Sequence, residues 1–220
     1  MKLEVVHDAP GVAEVFDPAR EADHRIANNL ALIAGALRLQ ARDAAKRTSG
    51  FTNEEVRLML AEIAGRVDAV AQLHKMLSQD PAGVVDVAEH LGTMCATLKP
   101  FMAAAGQVEL VCDLYPGCTV HPDQVMPIAL IVIEMVMNAI KYAHPTGIPG
   151  RVDVGCRMLD GAVHIEVCDD GVGLPEDFNP YRDGGTGFNV MRTLAMQLGA
   201  TPIFDSDSLG LRFVLVMPKR

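Results

Sequence analysis

The chain has 220 residues, of which 50% are hydrophobic and 21% are charged, and its net charge is −9 at pH 7. This composition is typical of globular domains and excludes a largely disordered chain, while the negative charge argues against general binding to nucleic acid. No apolar run approaches the ~20 residues that span a membrane, and the N-terminus carries no signal-peptide pattern. We therefore expect a cytoplasmic protein without a membrane span.

The cysteines are odd in number, scattered along the chain and never arranged as a Cys-x-x-Cys pair. This pattern supports neither a disulfide framework nor a zinc site, and it predicts reduced, partly buried thiols. The five positions are Cys95, Cys112, Cys118, Cys156 and Cys168.

The first 80 residues are predicted to be helical after an N-terminal tail over residues 1–18. Apolar residues recur with a 4-3-4 spacing, which predicts an amphipathic helix that ends near Thr48-Ser49-Gly50. They are Ile26, Leu30, Ile33 and Leu37. A second helix follows Thr52, which forms a capping-box pattern with Glu55. Its apolar seam comprises Val56, Leu60, Ile63, Val67, Val70, His74 and Leu77.

Two such helices with a short connection form a hairpin, which we assign to residues 19–80. One hairpin cannot bury two broad apolar faces by itself, so the pattern predicts a homodimer joined as a four-helix bundle. His74 lies on the seam and is interpreted as a packed residue. His24 lies beside the seam, on the flank of the bundle, with Asn28 one turn further along the same face.

Residues 81–220 are predicted to form an α+β domain, a sandwich with helices on one face of a mostly antiparallel sheet. The boundary is the segment from Gln79 to Gly83, and Asp160-Gly161 is the turn of a predicted hairpin. Helices are predicted over residues 88–102, 123–142 and 188–198. Strands are predicted over residues 107–114, 151–159, 163–168, 202–205 and 211–217, with 84–87 as a short strand or lead-in.

The predicted helix over residues 123–142 carries three polar residues on one face. Glu134, Asn138 and Lys141 stand at positions i, i+4 and i+7 amid apolar residues, and a buried helix places polar groups in one stripe only where they meet something polar. Carboxylate and amide oxygens suit Mg²⁺, and an ammonium group suits phosphate. The competing interpretation is a solvated stripe on an amphipathic helix.

Two glycine-rich segments follow. Asp169-Asp170-Gly171-Val172-Gly173 comes directly after a predicted strand, where glycines let the backbone approach a ligand closely and Asp169 can accept a hydrogen bond from an exocyclic amine. An ordinary acidic turn is the alternative. Gly185-Thr186-Gly187 precedes a helix, whose N-terminal amides can bind an anion. It is not a P-loop, because no Gly-Lys-Ser/Thr sequence follows.

In this order, the motifs resemble those of the two-component sensor histidine kinases, in the subfamily whose phosphoacceptor box reads His-Arg-x-x-Asn-Asn. That box is His24-Arg25-Ile26-Ala27-Asn28-Asn29 here. The segment from Glu134 to Ala143 is similar to the N box of the family, and the two glycine segments are similar to its glycine boxes. The resemblance runs from about residue 20 to the C-terminus.

The resemblance implies a dimeric helical hairpin joined to a Bergerat-type ATP-binding α/β sandwich. His24 would attack the γ-phosphate of ATP, with Asn28 orienting its imidazole. The phosphoryl group would then pass to an Asp of a response-regulator receiver domain.

The resemblance also implies roles in the nucleotide pocket. Asn138 would bind Mg²⁺ together with Glu134, and Glu134 would act as the general base or position water. Asp169 would bind the adenine amine, and Lys141 would meet a phosphate. The loops around the nucleotide would be formed by Gly171, Gly173, Gly185, Thr186 and Gly187.

Two positions depart from the family pattern. Arg25 follows the phosphoacceptor where many relatives carry an acidic residue, and Ile133 stands where the subfamily usually has Asn. No segment is long enough for a sensor domain, so we expect control by a separate sensor protein, by the N-terminal segment, or no control at all.

Two other functions stay open. A histidine phosphotransferase of a phosphorelay, with a degenerate C-terminal domain that no longer uses ATP, is favoured by Ile133 and by the missing sensor domain. It is opposed by the intact Asn138, Asp169 and four glycines. An ATPase of the wider Bergerat group, or an anti-sigma-factor kinase, is opposed by the hairpin that carries His24.

Overall fold

The computed structural model describes residues 50–77, 83–106, 108–143 and 148–218, together with helical residues 31, 34, 35, 37, 38, 41, 42 and 45. The N-terminal tail, His24, Asn28 and the boundary residues 79–82 lie outside the described residues. The helices are α1 (Asn53–Leu77), α2 (Val87–Gly106), α3 (Pro122–Asn138) and α4 (Thr186–Leu198), and a π-helical turn, Ala139–Ala143, continues α3. The strands are β1 (Val85–Asp86), β2 (Val108–Leu114), β3 (Thr119–Val120), β4 (Gly150–Leu159), β5 (Ala162–Asp169), β6 (Thr201–Asp207) and β7 (Gly210–Met217).

Helix α1 is the predicted second helix of the hairpin. It begins directly after Thr52, whose carbonyl accepts the N–H of Val56 at 3.0 Å. The helix packs against α2 and α3, and Val70 is buried on that side with 5% of its surface exposed. Two other seam residues, Leu60 and Val67, are 58% and 42% exposed. The described part of the chain therefore buries only part of the apolar seam of α1.

A five-stranded sheet in the order β2-β4-β5-β7-β6 forms the centre of the larger part of the molecule. Only β2 and β4 pair in parallel, so the prediction of a mostly antiparallel sheet is confirmed. The β4–β5 hairpin turns at Asp160 and Gly161, which have φ angles of 50° and 79°. Two consecutive positive φ angles are typical of the tight hairpin turn that Asp-Gly favours. Alternation along β4 buries Val152 and Val154 against the helices.

Helix α3 is the core helix of this part. Its residues from Gln124 to Met137 are all buried, as expected of a helix that is apolar on every side. His121 precedes it, and the His121 N–H donates to Oε1 of Gln124 at 3.0 Å, as in a capping box. The interpretation of a solvated polar stripe is wrong for Glu134, which is only 2% exposed.

The segment Pro122–Ala143 is long and apolar enough to cross a membrane by length and composition alone. The expectation that no apolar segment reaches that length is therefore wrong. Of its apolar 18-residue stretch, 78% is buried inside the protein, because α3 packs against the sheet and the other helices. The length of the apolar stretch thus reflects a helix that is covered on all sides.

Other predicted elements differ at their ends. Helix α2 continues beyond residue 102 to Gly106, and strand β3, which pairs with β1, was not predicted. A two-residue strand is too short to show a periodic pattern in the sequence. Strand β3 is held beside β1 by Asp86, whose carboxylate accepts the N–H groups of Ala88 at 3.0 Å and of Gly117 at 2.6 Å. All five cysteines are free, and three are buried, which confirms the expectation of reduced, partly buried thiols.

Candidate nucleotide site

A cavity of about 630 Å³ opens between helix α3, the loop after β5 and the first turn of α4. It brings together most of the site residues that the sequence predicts. The predicted residues that line it are Glu134, Asn138, Lys141, Asp169, Gly173, Gly185 and Gly187. His24 and Asn28 lie outside the described residues, so their positions relative to the cavity stay predictions.

Glu134 and Asn138 form the polar floor of the cavity, one helical turn apart on α3. The first turn of α4 lies directly over them. A Cβ atom at Gly187 would stand 2.8 Å from Oε2 of Glu134 and 3.4 Å from Oδ1 of Asn138, so a side chain at position 187 would displace the Glu134 carboxylate and pack directly against Asn138. Among the buried side-chain nitrogens and oxygens of the described residues, Nδ2 of Asn138 alone has no hydrogen-bond partner. Such a group is costly unless a ligand or water satisfies it.

The donor groups at this floor fit Mg²⁺, which needs few protein ligands, better than they fit a metal that is coordinated by protein side chains alone. Glu134 and Asn138 offer a carboxylate and an amide oxygen, which are hard donors. Within the described residues there is no group of three or more His, Cys, Asp or Glu side chains that could hold a metal. Mg²⁺ usually takes one or two protein ligands and completes its shell with phosphate oxygens and water. The two side chains can therefore hold Mg²⁺ together with a phosphate-bearing ligand.

Asp169 is fixed at the end of β5 by two backbone N–H groups. Its Oδ1 accepts from Gly171 at 3.0 Å and from Leu211 at 3.3 Å. The neighbouring residue Asp170 has a different partner: its Oδ1 accepts the N–H of Arg151 on β4 at 2.8 Å. Only Asp169 of this pair lines the cavity. Both carboxylates thus link the end of β5 to a neighbouring strand, and only that of Asp169 also lines the cavity.

The first glycine segment packs against two backbone segments. A Cβ atom at Gly171 would overlap Ala143, and the N–H of Val172 donates to the Ala143 carbonyl at 3.0 Å. Gly171 does not line the cavity. Its missing side chain lets the loop lie directly on the π-helical turn. Gly173 does line it, with a φ angle of 69°, and a side chain there would collide with the carbonyl of Asp207. The segment needs glycine at both positions for close approach.

The second glycine segment leads into α4. Gly184 has a φ angle of 98°, and a Cβ atom there would lie 2.9 Å from the Phe188 ring. Gly185 is the N-cap of α4 and provides no side-chain cap, so the N-terminal amides and the positive end of the helix dipole meet the cavity. Thr186 is the first residue of the helix. This geometry suits an anionic group.

The apolar walls were not predicted from the sequence. They include side chains from the loop after β5, from α4 and from β7, which pack into a surface suited to a flat, weakly polar ring. The spacing of these residues shows no periodic pattern, because the fold brings them together from a loop, a helix and a strand. They are Val172, Leu174, Pro175, Phe178, Phe188 and Leu211.

Two family models match the chain. A histidine kinase model matches residues 21–102, and a model of the histidine kinase-, DNA gyrase B- and HSP90-like ATPases matches residues 123–220. The second match contains the whole cavity.

Known relatives agree with these matches. The sensor histidine kinase PdtaS of Mycobacterium tuberculosis is 33% identical over 90% of this chain, which covers 39% of PdtaS. Blue-light-activated histidine kinase 2 of Erythrobacter litoralis is 26% identical over 82% of this chain and 51% of its own length. The chain therefore spans about half the length of these relatives or less.

Among solved structures, the histidine kinase domain of an Erythrobacter litoralis blue-light-activated histidine kinase superposes with a TM-score of 0.67. The alignment covers 91% of this chain and 92% of that domain at 23% identity, so it establishes a shared fold. The two matched family models, the relatives and the shared fold lead to one conclusion: the chain belongs to the sensor histidine kinase family.

Proposed function

We propose that the chain is an ATP-dependent protein-histidine kinase that phosphorylates His24. The observation that carries the proposal is the cavity in which Glu134, Asn138 and Asp169 meet two glycine segments. The buried amide nitrogen of Asn138, which no described group satisfies, supports a polar ligand at the floor of this cavity.

In this proposal ATP lies with its adenine at Asp169 and its phosphates toward α4. The carboxylate of Asp169 accepts a hydrogen bond from the exocyclic amine, and the apolar walls pack on the ring. The amides at Gly185 and Gly187 bind phosphate oxygens with Lys141. Glu134 and Asn138 hold Mg²⁺, which when bound neutralises phosphate charge.

A ring nitrogen of His24 attacks the γ-phosphorus of ATP. A nitrogen–phosphorus bond forms, the bond between that phosphorus and the bridging oxygen breaks, and ADP leaves with the electron pair. The imidazole loses its remaining proton, with Glu134 acting as the general base or positioning the water that accepts it, and Asn28 orients the ring. Catalysis consists mainly of positioning and charge neutralisation.

The phosphoryl group then passes to an Asp of a response-regulator receiver domain in two-component signal transduction. We propose that residues 19–80 form the dimerisation and phosphotransfer hairpin and residues 81–220 the ATP-binding domain. The exposed Leu60 and Val67 on α1 support a homodimer through the hairpin.

An ATP-independent phosphotransferase is the weaker alternative. Part of its support came from Ile133, but Ile133 is fully buried in α3 and does not line the cavity. The departure from the family pattern therefore leaves the polar groups of the cavity in place.

The experiment is incubation of the purified chain with γ-labelled ATP and Mg²⁺, alongside His24→Ala. The proposal expects label on the wild type that is stable in base and labile in acid, as for a nitrogen–phosphorus bond, and no label on His24→Ala. Subsequent transfer of the label to a receiver domain tests the second step. Label that survives in His24→Ala would contradict the assignment of the acceptor.

A further inference from the structure

The loop between the two glycine segments, residues 174–184, forms one wall of the cavity. Leu174, Pro175, Phe178 and Gly184 all line it. The loop contains no helix or strand, so tertiary contacts must determine its path. A loop without such contacts would have to be ordered by the nucleotide at a cost in binding free energy.

Arg192 on α4 supplies contacts of this kind. Its Nη1 donates to the carbonyls of Pro180 at 2.8 Å and Asp183 at 2.7 Å. Its Nη2 donates to Oδ1 of Asn189, one turn earlier on the helix, at 2.5 Å. Hydrogen bonds from a charged donor are stronger than neutral ones. One guanidinium therefore ties α4 to two points of the loop, without lining the cavity itself.

The segment that Arg192 contacts is already closed on itself. The Asp183 N–H donates to the Asn179 carbonyl at 2.7 Å, and the Asn179 N–H donates to Oδ2 of Asp183 at 3.0 Å. The Tyr181 N–H donates to Oδ1 of Asn179 at 2.9 Å. Arg192 thus holds a compact turn over residues 179–183 rather than an extended chain.

Aromatic contacts fix the same loop on both sides. The ring of Phe178 packs edge-on against Phe188 of α4, with centroids 5.1 Å apart. The ring of Tyr181 packs edge-on against Phe204 of β6, with centroids 5.4 Å apart. The aromatic contacts thus hold the loop against α4 and β6, and the Arg192 hydrogen bonds add a polar link between the loop and α4.

We propose that Arg192 is a positioning residue for nucleotide binding. It holds residues 174–184 in the arrangement that forms the cavity wall before nucleotide arrives, so that binding does not have to order the loop. The inference rests on the proposed function only in taking the ligand to be a nucleotide.

The test compares Arg192→Lys with Arg157→Lys. Lysine keeps the charge but cannot reproduce the planar fork that reaches three acceptors. Arg157 provides a matched control on the open face of the sheet, where its Nη2 donates to Oε2 of Glu166 at 2.7 Å. The probes are ADP binding by calorimetry, initial rates of His24 labelling at varied ATP concentrations, and amide hydrogen exchange of the nucleotide-free protein. The maximal labelling rate gives kcat and the half-saturating ATP concentration gives KM.

In Arg192→Lys the Kd for ADP and the KM for ATP rise about tenfold, which corresponds to about 1.4 kcal/mol, while kcat stays within about twofold. Exchange of the Asp183 amide accelerates by about tenfold, because loop opening becomes easier. Arg157→Lys changes none of these. Asn189→Ala, which leaves both carbonyl bonds in place, raises the Kd by no more than about threefold.

A Kd for ADP in Arg192→Lys equal to that of the wild type would overturn the proposal, as would a fall in kcat at unchanged KM. Equal losses of melting temperature in the two lysine variants without a difference in Kd would also overturn it. ADP binding does not require His24. A wild type that binds ADP but carries no label would therefore contradict the proposed function and leave the role of Arg192 to be judged by the Kd values.

Discussion

Asn138 lies at a position where folding and binding make opposite demands. Its Nδ2 is buried without a partner among the described residues, and an unsatisfied buried polar group costs about 1–3 kcal/mol. A residue that is kept at such a cost, in the floor of a cavity, is expected to be satisfied by the ligand. Stability is then given up locally for binding.

Asn138→Leu is therefore expected to leave the nucleotide-free protein as stable as the wild type or more stable by about 1 kcal/mol. The same change is expected to abolish nucleotide binding, because the amide is lost. Urea denaturation and ADP calorimetry on the same samples measure both effects. Gln197→Leu, at an exposed position of α4, is the control and should alter neither. Destabilisation of Asn138→Leu by 2 kcal/mol or more would indicate that the amide is satisfied within the protein.

The polar residues of the site could be predicted from the sequence because their types and spacing carry chemical information. Glu134 and Asn138 stand one helical turn apart, and Asp169 ends an alternating strand. Arg192 could not be predicted in this way, since its role depends on two loop carbonyls that any residue would provide. The same holds for Phe178, which is recognisable only once the loop is folded.

At the scale of elements, the β4–β5 hairpin was predictable and the π-helical turn was not. The hairpin combines strict alternation with Asp160-Gly161, so local signals agree with the tertiary structure. The turn Ala139–Ala143 follows an uninterrupted helical pattern, and its distinct geometry accompanies the contact of Ala143 with Val172. The two residues in contact are far apart in the sequence, so the periodic pattern of the helix could not predict the contact.

The open face of the sheet carries a charge cluster that links β4, β5 and β7. Glu166 accepts from Nη2 of Arg157 at 2.7 Å and from Nε of Arg212. Burial raises the pKa of Glu166, but hydrogen bonds from Arg212, Cys168 and Arg157 outweigh it, so the pKa is lowered from its ordinary value of 4.5. A carboxylate whose pKa is lower in the folded state stabilises the fold above its unfolded pKa. The stabilisation is lost as the pH falls through the folded pKa.

Glu166→Gln should reduce the free energy of unfolding by about 1 kcal/mol at pH 7, the scale of partly exposed ion pairs. The difference from the wild type should shrink as the pH falls below about 4.5, because the wild type then loses the same charge. Urea denaturation across the pH range measures the difference. Glu109→Gln on β2 is the control. A difference that grows toward acid pH would contradict the assigned direction of the pKa shift.

At the scale of the whole molecule, α1 presents an apolar seam that the described residues only partly cover. Val70 is buried against the rest of the chain, whereas Leu60 and Val67 are exposed on the same helix. The alternating 4 and 3 spacing of the seam is typical of a helix bundle. A second copy of the chain would cover these residues.

The double substitution Leu60→Glu and Val67→Glu should raise the dimer dissociation constant by at least about 100-fold, because charges would enter a desolvated seam. Sedimentation velocity over a range of concentrations measures it. Gln72→Glu, at an exposed position on the opposite face of the same helix, should leave the dimer intact. A wild type that stays monomeric at micromolar concentration would contradict the four-helix bundle.

The most direct test of the proposed kinase measures bound nucleotide and covalent label in the same samples of the wild type, His24→Gln and Asp169→Asn. The proposal predicts that His24→Gln binds ATP as tightly as the wild type and carries no label. It predicts that Asp169→Asn binds ATP at least about tenfold more weakly, by about 1.4 kcal/mol, and is labelled correspondingly slowly. A wild type that binds ATP with Mg²⁺ but never becomes labelled, or a His24→Gln that is labelled normally, would contradict it.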